Sequence, residues 1–334
     1  MQKVSQNPLT KKIRKGLIVL SFSISLAAAY FIFTNFNKNT DQTKQNTGTT
    51  TISDTHIANS KVQSFNLPDS VFFADELVPT HYFDVYESVE RELHAVIYFQ
   101  SMTLTNLKRA NRYFPIIEPI LEKNGIPDDF KYLAITESNL DNLVSSAGAA
   151  GVWQFLESTA KQYKMEINDE IDERYNLYKA TEATCKYLKS SYNKFSNWPL
   201  VAASFNYGEG NIQKQIKRQK VKNYYNMIWN IETGRYLYRI IAVKLVHENP
   251  SKYGFNIDKN QLYPPIPLRK VIVDSTILNL ADFAIAQGSN FKMLKYFNPW
   301  LRDDKLTNLN HKVYEIELPS EDARLYKNLY NKSE

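Results

Sequence analysis

A single cysteine, Cys185, stands in 334 residues. That excludes an internal disulfide and any metal site built from cysteines. Five histidines are present, and none falls at metal-ligand spacing such as HExxH. No metal or organic cofactor is therefore expected. Cys185 sits in a predicted helix, in Thr181-Glu182-Ala183-Thr184-Cys185, and reads as a small core residue. An excess of one charge is also missing from most of the chain. Lys and Arg number 41 against 35 Asp and Glu, a net +6, and much of the excess lies at Lys3, Lys11, Lys12, Arg14 and Lys15. The nearly balanced remainder excludes a strong nucleic-acid footprint. Strand-like alternation is almost absent from Asp69 to Phe255.

What is present begins with hydrophobic residues at 43% and a set of 22 Tyr, 18 Phe and 4 Trp, enough for a sizeable core. Aromatics of this kind suit sugar rings, but their number alone favours core packing over carbohydrate binding. Gly16 to Phe33 is an uncharged run of roughly bilayer-spanning length. With the basic tail at 1–15 before it, the run predicts a signal-anchor at 16–36 whose N-terminus stays in the cytoplasm. A cleaved signal peptide is the competing reading, since Ala27-Ala28-Ala29 supplies small residues. Either way the body is placed outside the cytoplasm. Residues 37–68, rich in Thr, Asn, Gln, Ser and Lys, read as a flexible spacer.

From Asp69 the spacing is helical. Val85, Val89, Leu93 and Val96/Ile97 share one face. Further helices are predicted at Leu104–Tyr113, Ile116–Lys123, from Ile126 through Leu140, and at Ser158–Tyr163, Lys179–Phe195, Pro199–Phe205, Asn211–Gln219 and Ile231–His247. Tyr263-Pro264-Pro265-Ile266-Pro267 marks a boundary. Beyond it the pattern predicts a strand at Lys270–Asp274, helices at Leu280–Gln287 and Phe291–Phe297, and a strand at Val313–Leu318. That order makes a small α+β module.

One carboxylate stands out. Ile126, Phe130, Leu133, Ala134 and Glu137 fall on one helical stripe. A carboxyl on an apolar face has its pKa raised, which a general acid working near neutrality needs. A Glu at a helix end, half-exposed or paired with a lysine, is the plain structural alternative. After it come Ser145-Ser146-Ala147-Gly148-Ala149-Ala150-Gly151-Val152-Trp153-Gln154-Phe155 and Ser204-Phe205-Asn206-Tyr207-Gly208-Glu209-Gly210. Small residues allow close backbone approach, Trp153 and Gln154 offer a stacking face and an amide, and the Asn and Gly residues suit a turn that aims polar groups into a cleft.

These segments together, E-S-N-L, S-x-A-G-A-x-G-x-W-Q-F and S-F-N-Y-G-x-G, resemble the goose-type lysozyme-like domain of family 1 lytic transglycosylases. Within it, they are most similar to the membrane-bound murein transglycosylase D group. Glu232-Thr233-Gly234-Arg235-Tyr236 is similar to that group's E-T-x-x-Y motif. The resemblance implies a mainly α fold: a lysozyme-like (SLT) helical domain at 69–262 and a small LysM-like α+β module at 268–320. It implies that Glu137 is catalytic and that Ser146, Gln154, Asn206 and Tyr236 line a sugar-binding cleft. It also implies peptidoglycan glycan strands as substrate. The family's A-Y-N-x-G is Ser204-Phe205-Asn206-Tyr207-Gly208 here, so one tyrosine hydroxyl is missing. The module's Leu294-Lys295-Tyr296-Phe297-Asn298-Pro299 resembles the LysM L-x-x-x-N-P stretch, while the usual early Gly-Asp-Thr is absent.

Glycosidases ordinarily use two carboxylates, and no second acid here sits in a comparable motif. The resemblance implies that Glu137 alone cleaves the MurNAc-β-1,4-GlcNAc bond without water, leaving 1,6-anhydro-MurNAc, as a carbon–oxygen lyase acting on polysaccharides. A hydrolytic muramidase on the same fold and a non-catalytic peptidoglycan-binding protein remain the alternatives.

Overall fold

A computed structural model describes residues 62–320 and 322–330. The predicted basic tail at 1–15, the anchor at 16–36 and the spacer up to residue 61 lie outside the described residues. Among the described residues, no helix is long and apolar enough to cross a membrane.

The chain opens on a hairpin that short-range pattern did not reveal. β1 (Val71–Phe73) and β2 (Glu76–Val78) pair antiparallel with Val71 opposite Val78. Ala74 and Asp75 turn the chain with φ of 52° and 61°, the positive angles that two-residue hairpins require. Three-residue strands are too short to show alternation. The hairpin matters because of what it touches: the Phe73 and Phe130 ring centres are 5.4 Å apart. Asp129 accepts from the Ala74 amide at 2.7 Å and from Lys244 Nζ at 2.6 Å. The entry to the helix that carries Glu137 is fixed in this way from two sides.

α1 (Phe83–Tyr98) buries Val85, Val89, Leu93 and Ile97 on the predicted face. The next element corrects the expectation. Leu104–Tyr113 and Ile116–Lys123 are parts of one helix, α2 (Gln100–Lys123), with Pro115 and Pro119 inside it. A proline removes the bond to the carbonyl four residues earlier and usually ends a helix. Here Leu107 and Ala110 are buried before Pro115 and Ile117 and Leu121 after it, so both halves are held on the core.

A 3-10 turn, Asp128–Phe130, leads into the eight-residue α3 (Lys131–Ser138). α4 (Glu157–Gln162), α5 (Leu177–Phe195), α6 (Trp198–Tyr207), α7 (Glu209–Gln219) and α8 (Ile231–Glu248) follow close to the predicted spans. Asn176, Asn197 and Asn230 cap α5, α6 and α8 by accepting from the amides of Lys179, Leu200 and Thr233, as N-cap side chains do. α8 runs along α1 and also touches α3 and α6, so it is the central strut. Leu133 of α3 is fully buried. Leu133→Ala is expected to lower stability by about 3 kcal/mol, measurable as a shift in urea midpoint. A loss under about 1 kcal/mol would contradict this packing.

The C-terminal module has the predicted order. β3 (Leu268–Val273) and β4 (Tyr314–Pro319) pair antiparallel, Leu268 opposite Pro319 through Val273 opposite Tyr314. α9 (Leu280–Ala286) and α10 (Phe291–Phe297) lie between them, and α11 (Tyr326–Tyr330) follows. The fully buried Asn298 donates to the Leu294 and Glu317 carbonyls at 2.8 and 2.6 Å and accepts from the Glu317 amide at 2.8 Å. That side chain ties α10 to β4.

Candidate active site

Ile126, Phe130, Leu133 and Ala134 are buried, so their stripe faces the core and carries Glu137 with it onto the last turn of α3. The helix stops at Ser138, one residue after Glu137. Asn139 takes the left-handed conformation, φ 55°, and its amide bonds the Ile135 carbonyl at 2.8 Å, a frequent helix ending. Ser138 is buried and donates to the Val152 carbonyl at 2.7 Å. It thereby joins the Glu137 helix to the small-residue loop.

Glu137 is held as a weak acid. Burial pushes its carboxyl up to about 7, the largest effect. The phenol of Tyr236 on α8 donates to Glu137 Oε1 and opposes that shift, as does the charge of Arg239, while the charge of Glu232 adds to it. Tyr236 is itself buried, and burial followed by the adjacent carboxylate drives its pKa well above the ordinary value. It therefore stays a proton donor to Glu137 at any working pH.

Asn206 closes α6 and meets the first turn of α8. Its Nδ2 donates to Glu232 Oε1 at 3.0 Å, and its Oδ1 accepts from Thr233 Oγ1 at 3.0 Å. Both ends of the amide are thus oriented by protein (the amide assignment follows from this network). Three of the five predicted site residues, Glu137, Tyr236 and Asn206, gather at the N-terminal half of α8. Gln154 and Ser146 lie on the 143–155 loop instead. Gln154 adopts φ 49°, and its Nε2 donates to the Leu143 and Gly151 carbonyls at 2.9 and 2.8 Å. Both donors are used within the loop, and the carbonyl oxygen bonds none of the described residues. Ser146 is exposed, and its hydroxyl bonds none of the described residues.

One expectation changes. Trp153 offers no stacking face: it is fully buried, with Nε1 donating to Thr181 Oγ1 at 2.9 Å. Phe205 is a packing residue, edge-on to Trp153, Phe155 and Tyr187 with ring centres 6.4, 5.9 and 5.3 Å away. Four residues that the sequence did not single out as site residues hold the arrangement: Ser138, Glu232, Thr233 and Arg174. Ser138, Glu232 and Thr233 stand inside the E-S-N-L and E-T-x-x-Y segments without a role assigned to them, and Arg174 stands in neither. Among the described residues, no cluster of three or more His, Cys, Asp or Glu could hold a metal ion.

Residues 114–228 match the family model described as the transglycosylase SLT domain. Residues 269–322 match that of the soluble lytic transglycosylase C-terminal LysM-like domain. The chain therefore carries an SLT domain and a LysM-like C-terminal domain, on a mainly α fold. The first match includes Glu137, Ser146, Gln154 and Asn206; Tyr236 falls beyond it.

Over 229 residues the chain is 27% identical to the membrane-bound lytic murein transglycosylase D of Escherichia coli K12, which takes in 66% of this chain and 48% of that protein. Over 142 residues it is 27% identical to a protein of Alteromonas sp. named for tributyltin chloride resistance, covering 42% of this chain and 68% of that one. The chain spans about half the length of the E. coli relative. A solved structure of an inactive mutant of lytic transglycosylase Slt from Pseudomonas aeruginosa is 15% identical, with a TM-score of 0.35, over 46% of this chain and 26% of that one.

Proposed function

We propose that this chain is a peptidoglycan lytic transglycosylase with Glu137 as its acid and base. The observation that carries the reading is a carboxyl with a pKa of about 7, hydrogen-bonded by Tyr236, in a chain with an SLT match. A carboxyl of that acidity is partly protonated near neutrality and can work in both directions. Protonated Glu137 donates to the oxygen between MurNAc and GlcNAc, and the bond from C1 to that oxygen breaks. The substrate's own N-acetyl group stabilises the cationic sugar. Glu137, now a carboxylate, takes the proton from the C6 hydroxyl as O6 bonds to C1. The products are 1,6-anhydro-MurNAc and a free GlcNAc 4-hydroxyl, with Glu137 protonated again. Asn206, Gln154 and Ser146 bind the glycan, and Tyr236 orients the carboxyl. In this reading residues 16–36 anchor the chain at the bacterial envelope and the spacer gives it reach up to residue 61, since the last part of the expected 37–68 spacer, with Phe65 and Leu67, packs on the helical body.

The products decide between this chemistry and hydrolysis. Digestion of purified peptidoglycan in ¹⁸O-labelled water, read by mass spectrometry, is expected to give anhydro ends without label. Labelled reducing ends would make the chain a muramidase, and no release beside intact glycan binding would make it a binding protein.

Tyr236→Phe separates orientation from acidity. The phenol stabilises the charged carboxylate, so its loss raises the Glu137 pKa above about 7. The alkaline limb of the pH–rate profile is expected to move up by roughly one unit while kcat falls about tenfold. A limb that stays in place or moves down would show that Tyr236 does not act on Glu137.

A further inference from the structure

The loop bearing Ser146 and Gln154 is held by Arg174, in the 3-10 turn Glu173–Tyr175. Arg174 Nη1 donates to the Gly148 carbonyl at 2.9 Å and to the Phe155 carbonyl at 3.2 Å. One nitrogen thus grips both arms of the loop. Nε and Nη2 bond the Asp172 carboxylate at 3.0 and 2.7 Å, and both side chains are about 10% exposed. A planar fork filled on two sides has little freedom to turn.

The segment carrying Arg174 is paired to the C-terminal module. The Asp172 amide donates to the Trp300 carbonyl at 2.8 Å, and the Arg302 amide to the Glu170 carbonyl at 2.7 Å. Ile171 and Leu301 form an antiparallel bridge between them. The Glu170 carboxylate accepts from the amide and hydroxyl of Thr307 at 2.6 and 2.9 Å. The Arg302 guanidinium lies 4.2 Å from the centre of the Tyr175 ring. Ala150 of the loop is buried in the same apolar cluster as Ile171, Tyr175, Leu294 and Leu301. The module's core therefore includes a side chain of the loop itself.

We propose that the C-terminal module is a working part of the glycan site, and that Arg174 is its positioning residue. The module fixes residues 170–175, Arg174 fixes the loop, and the loop sets Ser146 and Gln154. The inference rests on the reading of that loop as part of the glycan site. It gives the module a role that does not depend on any glycan affinity of its own.

The test uses the full chain with Arg174→Lys, Arg302→Ala and both together. Lysine cannot hold Asp172 and two carbonyls as a flat fork. Two readouts are taken: amide hydrogen exchange at Ala149, Ala150 and Phe155, and steady-state kinetics on purified peptidoglycan glycan strands. Arg174→Lys is expected to speed exchange and to raise KM roughly tenfold, the loss of one charge-assisted hydrogen bond. Its kcat is expected to stay within about twofold, with the limb near pH 7 unmoved, because Glu137 is untouched. Arg302→Ala is expected to shift the same quantities by less, and the double variant to match Arg174→Lys, since both act along one path.

General loss of folded protein would lower kcat and leave KM alone, and that outcome for Arg174→Lys overturns the proposal. Wild-type loop exchange in Arg302→Ala also overturns it, because the module would then not reach the loop. If the unaltered chain cleaves no glycan, the functional reading fails while the exchange data still decide the clamp.

Discussion

Glu137→Gln is expected to reduce glycan cleavage roughly a thousandfold or more, since one residue supplies both proton transfers and each is worth about 10²–10⁴. The fold is expected to survive, because a glutamine amide oxygen can still accept from the Tyr236 phenol. Stability should in fact rise above neutral pH. The Glu137 carboxyl titrates near 7 when folded, against 4.5 for the unperturbed group. Its contribution to stability is fully present below pH 4.5 and is lost as pH climbs through 7. With allowance for partial solvent contact, removing that cost is worth roughly 2 kcal/mol above pH 7. Parallel denaturation of wild type and variant at pH 5 and pH 8 checks the sign. A variant less stable than wild type at pH 8 would show that the site does not disfavour the charge. Residual cleavage within about tenfold of wild type would remove Glu137 from the chemistry altogether.

The second large effect is expected at Gly151. Its φ is +82°, and a Cβ placed there would lie 1.9 Å from the Arg174 carbonyl oxygen and 2.8 Å from its carbon. Both are backbone atoms that the Asp172–Trp300 pairing holds in place, so the loop must give instead. Gly151→Ala is expected to cost at least about 3 kcal/mol, the range of strained backbone combined with overpacking. Glycan affinity should fall with it. Gly148 supplies the internal control: its φ is +80°, yet nothing lies within 4 Å of a Cβ there. Gly148→Ala should therefore show only the conformational penalty of about 1 kcal/mol. Thermal melting of the two variants side by side checks the contrast, and equal melting temperatures would refute the close approach.

These effects show where the sequence could be read and where it could not. Helices with an unbroken apolar stripe were legible, and Phe291–Phe297 was read to the residue. So was the strand–helix–helix–strand order, because Gly288 and the prolines punctuate it. Pro115 misled, since a local rule for breaking helices gave way to burial on both sides of the proline. The Val71–Val78 hairpin escaped because three residues cannot show a period. At the candidate site, the inward placement of Glu137 could be read from its apolar stripe, while Asn206 and Tyr236 were singled out only by motif likeness. Trp153 was not legible, since a tryptophan beside a glutamine reads alike whether it faces a cleft or Thr181. The links Asn206–Glu232, Ser138–Val152 and Arg174–Gly148 join residues 26, 14 and 26 positions apart, and no spacing rule reaches that far. The C-terminal module's hold on the loop belongs to the same class: it exists only once two chain segments meet.

The proposed chemistry requires a Glu137 carboxyl that is protonated near neutrality. The direct measurement is infrared difference spectroscopy of the carboxyl band across pH 4–9, with Glu137→Gln subtracted to isolate the one group. The predicted result is a single titration centred at about 7, which moves upward in Tyr236→Phe. A midpoint at the ordinary 4.5 would contradict it, leaving Glu137 a plain carboxylate at neutral pH with no proton to give.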